Sequence, residues 1–218
     1  MARSNVLAKV VVGLVVLAGL GFLFVRSARQ TQSEPYTVRR ENLREWTLAF
    51  APESSSTGAA LMLQSSPELL KELFRQTFTR SGISLSGPSE AEVPLVLRSE
   101  FDRAFAARTT PDALMAAARN AGLDALTLEP RCLASRRVSA PGVTDELFFV
   151  LFDVPAFTRF REQIGTLVDG AAPGGSYDPA ALSPVLIVAA SDSSFGRWLP
   201  LHADPAADCR APILVSSP

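Results

Sequence analysis

The stretch DELFFVLFDVPAFTRFREQIGTLV, residues 145–168, contains the strongest secondary-structure signals of the 218-residue chain. Residues 147–152 are all apolar, and a run of this length predicts a strand in the centre of a sheet. Pro155 then opens a helix, because proline is favoured in a first helical turn. The apolar face of this helix is predicted to contain Phe157, Phe160, Ile164, Leu167 and Val168, and its outer face Arg159, Arg161 and Glu162.

Outward from this stretch, the sequence predicts further helices and strands. Ser66 and Pro67 indicate the start of one helix, and Thr110 and Pro111 the start of another. Strand signals lie at 36–50, 95–97, 123–139, 184–192, 197–201 and 212–215. The order strand, helix, strand, strand, helix, strand is typical of a split β-α-β arrangement, and no internal repeat is visible. We therefore expect an α+β domain of ferredoxin-like type, with a mixed or antiparallel sheet and helices on one face.

The N-terminal residues predict a membrane anchor. Residues 10–25, VVVGLVVLAGLGFLFV, contain no charge, and residues 6–25 include only Lys9. Twenty residues at 1.5 Å of rise span about 30 Å, the thickness of the hydrocarbon core of a bilayer. The predicted organisation is a short tail at 1–5, a transmembrane helix in contact with the lipid bilayer at 6–25, a linker at 26–35 and an α+β domain at 36–218, with a subdivision near 100 left open.

Two alternatives to an anchor are less consistent with the sequence. A cleaved signal peptide requires small residues at the cleavage site, but residues 22–26 are FLFVR. A core helix would not be apolar on every face at the N-terminus. The count of positive charges on the two sides of the span leans toward a cytoplasmic domain, but long domains translocate largely regardless of charge.

Residues 36–43, YTVRRENL, follow the predicted anchor and linker. An apolar helix followed by Y-T-V-R-R-x-x-L resembles the start of the periplasmic adaptor (membrane-fusion) subunits of efflux pumps. The resemblance is limited to this stretch, because the lipoyl and coiled-coil hairpin patterns of that family are not visible, and no function is transferred from it. It favours a domain outside the cytoplasm, anchored in the inner membrane of a bacterial cell.

The chain contains two cysteines, Cys132 and Cys209, and a single histidine, His202. An even pair in a membrane-tethered domain is compatible with one disulfide, and the alternative is two unrelated buried thiols. These three residues lack the close ligand pairs of zinc motifs, and neither a G-x-S-x-G elbow nor a Gly-rich phosphate loop is present. We therefore predict no catalytic residues, no metal and no cofactor.

Four arginines are candidates for a ligand site: Arg98, Arg131, Arg136 and Arg137. Three of them flank Cys132, and the fourth is placed on a neighbouring strand. Because arginine binds carboxylates and phosphates in a fork geometry, they could form an anion site. The alternative is a solvent-exposed strand face, on which they pair with the acidic residues Glu129, Asp145 and Glu146.

The overall charge excludes one class of partner. The 21 Lys and Arg residues are balanced by 22 Asp and Glu, so nucleic acid is not expected as a partner. The anchor, the short linker and the lack of catalytic residue sets predict a non-catalytic interaction module that binds a protein of the cell envelope. The alternative is a membrane-tethered small-ligand sensor or enzyme that uses the Arg-lined anion site. A pocket in which arginines and carboxylates converge would favour the alternative, and an open sheet edge would favour the module.

Overall fold

The computed structural model describes residues 17, 19–21, 33–44, 46–53, 55–124, 126–140, 143–168 and 176–216. The chain divides into two compact units, Met1–Glu34 and Pro35–Pro218. The predicted tail at 1–5, most of the predicted linker and the predicted anchor at 6–25 lie outside the described residues, apart from the helical residues 17 and 19–21 within the anchor. Within the described ranges, no helix is long and apolar enough to cross a membrane.

The second unit is a mixed α+β structure, as predicted. Its described strands are β1 (Tyr36–Arg39), β2 (Thr47–Phe50), β3 (Ala59–Ser65), β4 (Ala91–Leu97), β5 (Pro130–Ala140), β6 (Val143–Phe152), β7 (Val185–Ala190), β8 (Cys209–Ala211) and β9 (Ile213–Ser216). Its helices are α1 (Pro67–Ser81), α2 (Pro111–Asn120), α3 (Pro155–Gly165) and α4 (Pro205–Asp208). Shorter helical segments are Arg40–Leu43, Arg98–Glu100, the π-helix Phe101–Phe105 and Phe195–Trp198.

These strands form three sheets with the orders β1-β9, β2-β3-β4 and β7-β6-β5-β8. The β1–β9 pair is parallel, and every other strand pair is antiparallel. The three-stranded sheet lies within the region 36–100, and the sequence left a subdivision of the domain near residue 100 open. Strand β4 of this sheet lies beside β7 of the four-stranded sheet.

Two parts of this unit share one topology. In each part, a hairpin leads into a helix, and the strand after the helix pairs antiparallel with the strand before it. In the first part β4 returns beside β3, with Ala91 opposite Ser65. In the second part β7 returns beside β6, with Val185 opposite Leu151. The two parts therefore have the same topology, although their sequences show no repeat.

This arrangement shows that the predicted ferredoxin-like strand order is wrong. A split β-α-β arrangement requires that the strands joined through a helix run parallel. Here they are antiparallel neighbours, because β4 begins opposite the end of β3 and β7 begins opposite the end of β6. The order of strands and helices along the chain is the same in a split β-α-β arrangement and in the observed fold. This order therefore did not distinguish the two topologies.

Helix α1 begins where the sequence predicts. The Oγ of Ser66 accepts a hydrogen bond from the backbone N–H of Glu68 at 3.2 Å, and Pro67 occupies the first turn. The helix ends at Gly82, whose φ of 67° lies in the left-handed region that glycine adopts without strain. Its buried face consists of Leu69, Leu70, Leu73 and Thr77.

The apolar part of β6, residues 147–152, is central in the sheet and packed on both faces, as predicted. It lies between β5 and β7, and its successive side chains alternate between the two faces of the sheet. Leu147, Phe149 and Leu151 belong to one apolar cluster, whereas Val150 and Phe152 belong to the larger cluster on the opposite face. The first cluster is covered by residues that follow β7: Phe195, Trp198, Leu201 and Ala203.

Arg161 is fully buried, so the prediction that it lies on the outer face of α3 is wrong. It follows Phe157 by four residues, which places it on the apolar face of the helix. Its guanidinium donates to both carboxylate oxygens of Glu100, at 2.7 and 3.1 Å. The remaining N–H groups donate to the carbonyl oxygens of Leu95, Asp178 and Pro179, at 3.0, 2.8 and 2.8 Å respectively. All five guanidinium N–H groups therefore have acceptors, which offsets the cost of burying the charge.

Candidate functional site

The structure does not bring the four candidate arginines together. Arg131, Arg136 and Arg137 lie on β5, whereas Arg98 follows β4, which belongs to a different sheet. Arg131 and Arg136 are five residues apart, or about 17 Å along an extended strand. Arg136 and Arg137 leave the strand on opposite faces, because successive side chains alternate.

Two of the arginines on β5 are paired with carboxylates of the chain. Arg136 donates to the Oδ2 of the buried Asp208 at 2.6 Å and to the carbonyl oxygen of His202 at 2.9 Å. Arg137 lies 2.9 Å from Glu146, the residue directly opposite it on β6. His202 also holds a neighbouring loop, because its Nδ1 donates to the carbonyl oxygen of Ala180 at 2.8 Å. Arg137 therefore pairs with an acidic residue on the facing strand, which is one of the two alternatives that the sequence left open. Arg136 instead pairs with Asp208, which is more distant in sequence.

Arg98 fixes a loop. Its guanidinium donates to the carbonyl oxygens of Ala51 and Glu53, the latter at 3.0 Å, and lies above the rings of Phe50 and Phe101 at 5.4 and 5.3 Å from their centroids. These contacts tie the connection between β2 and β3 to the start of the helical segment after β4. Arg98 therefore has a structural role, because it holds this loop in place.

Cys132 and Cys209 are joined by a disulfide, the alternative that the sequence favoured over two buried thiols. The bond connects β5 to β8, whose ladder with β5 involves only Leu133 and Ala134 of that strand. A shallow groove of about 470 Å³ beside the disulfide is lined partly by Arg131 and Arg210. Arg210 donates to the hydroxyl of Ser135 at 3.0 Å.

The hairpin β5–β6 extends beyond its neighbouring strands. Its ladder continues to Ala140 opposite Val143, whereas β7 pairs with β6 only as far as Leu147. On the other side, the ladder of β8 with β5 covers only Leu133 and Ala134. We call residues 137–146 the arm, of which 137–140 and 143–146 are described. Within the described part of the arm, each strand has a strand partner on one side only.

The arm is exposed, and its outer edges are open except at Glu146, whose backbone is hydrogen-bonded to Ser191. Arg137, Val138, Ser139 and Thr144 are all exposed, and Val138 retains 52% of its accessible surface. A strand edge of this kind presents backbone N–H and C=O groups that can pair with another extended chain. The arm can therefore accept a further strand without rearrangement of the core.

The base of the arm is held in one orientation. Arg197 lies 2.7 Å from Asp145, and the hydroxyl of Ser191 donates to the same carboxylate at 3.2 Å. Hydrogen bonding from Arg197, supported by that from Ser191, holds the pKa of Asp145 below its usual value. The backbone of Glu146 accepts from the N–H of Ser191 at 2.9 Å. The arm is therefore attached to the segment after β7 at its base and projects from there.

Apart from Arg137, the arm residues were not identified as a site from the sequence, although one signal was present. Residues 136–139 and 144–146 read RRVS and TDE, which are polar on both faces of a strand except for Val138. A strand that is polar on both faces has no side to bury. This pattern could have indicated that the hairpin continues beyond the core.

Comparison with known proteins adds no relative. No protein-family description, no curated protein and no solved structure matches this chain.

Proposed function

We propose that this chain is a single-pass protein of the bacterial inner membrane whose α+β domain is a non-catalytic interaction module outside the cytoplasm. The arm binds an extended segment of a partner protein of the cell envelope by strand addition. Residues 6–25 form the anchor in the lipid bilayer. The open edges of the arm are the observation that carries this proposal.

The disulfide supports the placement outside the cytoplasm. Disulfides form and persist in oxidising compartments, and they are rare in the cytosol of mesophilic cells. The bond between Cys132 and Cys209 links β5 to β8 within the four-stranded sheet and so ties the C-terminal part of the chain to this sheet. A domain that relies on such a bond suits the periplasmic side of the membrane.

Strand addition is supported by the geometry of the arm. In this mode of recognition, main-chain hydrogen bonds provide affinity, and side chains on the two faces of the added strand provide specificity. Val138 offers an apolar contact beside the ion pair of Arg137 with Glu146. The arginines of the alternative anion site are dispersed over two sheets, so the geometry favours the module.

Shortening the arm is expected to abolish partner binding without unfolding the domain. The variant replaces residues 139–144 by Asn-Gly, which forms the tight turn of a two-residue hairpin and retains Asp145. Because Ser139 and Thr144, the two replaced residues whose burial is described, are exposed, its free energy of unfolding is expected to stay within about 0.5 kcal/mol of wild type. Affinity purification of the full chain from solubilised membranes measures the amount of partner recovered.

The matched control is Leu214→Asp, which changes an equally exposed apolar residue on β9, outside the arm. The wild type and this control are expected to recover the same partner in stoichiometric amount, and the shortened-arm variant is expected to lose it. Equal recovery by all three proteins, or recovery of the wild type alone without any partner, would count against the module.

A further inference from the structure

The two edges of the arm differ in how much of their backbone is free. On the edge formed by β6, the carbonyl oxygen of Glu146 accepts a hydrogen bond from the N–H of Ser191 at 2.9 Å. The N–H of Glu146 donates to the hydroxyl of the same serine at 3.1 Å. Both backbone groups of Glu146 are therefore directed away from β5, and both are already occupied.

The direction of the backbone groups of β5 follows from this contact. Arg137 lies opposite Glu146, and Ser139 lies opposite Thr144. In an antiparallel ladder, pairs of residues that bond to each other alternate with pairs whose backbone groups are directed outward on both strands. The pair of Arg137 with Glu146 is of the outward kind, and the register from it to the pair of Ser139 with Thr144 is unbroken. Arg137 and Ser139 therefore direct their N–H and C=O groups away from β6.

These outward groups make β5 the more open edge of the arm. The ladder of β8 with β5 ends at Ala134, and within the described ranges no hydrogen bond reaches the outward backbone groups of Arg137 or Ser139. The β5 edge thus offers two donors and two acceptors at the two-residue spacing of a strand ladder. On the β6 edge, the outward groups of Thr144 are the free ones among residues 143–146.

The side chains along the β5 edge carry positive charge. Arg210, on β8, donates through its Nε to the hydroxyl of Ser135 at 3.0 Å, which places its guanidinium beside β5. Ser135 and Arg137 lie on the same face of β5, about 7 Å apart, because they are separated by two residues of an extended strand. Arg137 pairs with Glu146, whereas the ion pairs of the described residues include none with Arg210. This face of the edge therefore has two guanidinium groups and one carboxylate.

We propose that the partner segment pairs with the β5 edge of the arm, at Arg137 and Ser139, and carries an acidic side chain opposite Arg137. This inference rests on the proposed function, to which it adds the edge that is used and the chemistry of the partner. The acidic side chain, together with Glu146, balances the charge of the two guanidinium groups. Opposite charges on neighbouring strands stabilise their pairing, and the backbone bonds fix the register of the segment.

A second copy of this chain fits the same edge less well. If two copies of β5 pair antiparallel through the outward groups of these residues, each Arg137 lies opposite a Ser139. The two Arg137 side chains are then diagonal neighbours on one face, within reach of each other, and their like charges repel. An acidic segment meets no such repulsion, so it is the occupant that the charge of this edge favours.

Proline substitutions on the two edges test which edge is used. Ser139→Pro and Thr144→Pro change the two members of one register pair, and each removes an outward N–H without removing a bond between β5 and β6. The readout is the adduct formed in native cells by a photoactivatable amino acid at the exposed position Val138 of the full chain. Ser139→Pro is expected to lower the yield of this adduct at least about tenfold, because it removes a donor at the docking edge. Thr144→Pro is expected to leave the yield unchanged, and both variants are expected to keep the unfolding temperature of the wild type.

Sequencing of the adduct by mass spectrometry tests the chemistry of the partner. The cross-linked segment is expected to come from another protein and to contain Asp or Glu within about three residues of the cross-linked position. Arg210→Glu is expected to lower the adduct yield about threefold, since the acidic segment then meets a like charge. Arg159→Glu, the same change at an exposed position on α3, is expected to leave the yield unchanged.

The outcomes separate this inference from the proposed function. Absence of any adduct from position 138 of the otherwise unchanged chain contradicts the proposed function and this inference with it. An adduct that survives Ser139→Pro, or that is lost with Thr144→Pro, overturns the assignment to the β5 edge and leaves strand addition at the arm in place. A cross-linked segment without an acidic residue, a cross-link to a second copy of this chain, or equal yields from Arg210→Glu and Arg159→Glu overturns the acidic partner.

Discussion

Replacement of Arg161 by Met is expected to lower the free energy of unfolding by about 3–5 kcal/mol, the cost typical of removing one partner of a buried ion pair. The change leaves Glu100 without its charged partner and removes the guanidinium's hydrogen bonds to the carbonyl oxygens of Leu95, Asp178 and Pro179. Each of these lost hydrogen bonds adds to the destabilisation. Urea unfolding of the full chain in detergent, followed by tryptophan fluorescence, measures the difference.

Arg159→Met is the matched control, because Arg159 lies on the same helix and is exposed. It is expected to change the free energy of unfolding by no more than about 0.5 kcal/mol. The double variant Arg161→Met/Glu100→Leu is expected to recover part of the loss, since an apolar pair leaves no buried charge. A single Arg161→Met variant as stable as the control would contradict the role assigned to this residue.

Removal of the disulfide is expected to lower the free energy of unfolding by about 4 kcal/mol, because the bond closes a loop of 77 residues in the unfolded chain. The ladder of β5 with β8 covers only two residues of β5, and the bond adds a covalent link to this short pairing. The double variant Cys132→Ala/Cys209→Ala and the reduced wild-type protein are expected to show the same loss. Denaturant unfolding with and without reductant measures it.

The oxidation state of this disulfide in cells also indicates the compartment in which the domain lies. Intact mass of the protein taken from cells without reductant is expected to show no alkylation of Cys132 or Cys209. Two alkylated thiols would remove the support for a domain outside the cytoplasm, even if the bond forms after purification. An unfolding midpoint that does not respond to reductant would contradict the stabilising role.

The parts of the fold that depend on local sequence were predictable. The apolar run at 147–152 and the cap formed by Ser66 and Pro67 placed β6 and the start of α1 correctly, because both signals arise within a few residues. The burial of Arg161 was also encoded locally, since it follows Phe157 by one helical turn. That signal was overlooked because charged residues are seldom buried without partners, and the partner Glu100 is distant in sequence.

The strand pairing and the arm were not predictable in this way. The antiparallel pairing of β4 with β3 and of β7 with β6 joins strands that are separated in sequence by a helix, and the order of elements along the chain does not reveal it. The length of the arm is set by the residues at which β7 stops pairing with β6 and β8 stops pairing with β5. These end points depend on the register between strands that are distant in sequence.

The central claim is that the arm is the surface at which a partner docks, and site-specific photo-crosslinking tests it most directly. A photoactivatable amino acid is placed at Val138 of the full chain in its native cells, and in a second protein at Leu214, which is 54% exposed compared with 52% for Val138. After irradiation, we expect one discrete adduct of higher mass from position 138 and none from position 214. The same adducts from both positions, or no adduct from position 138, would contradict the account.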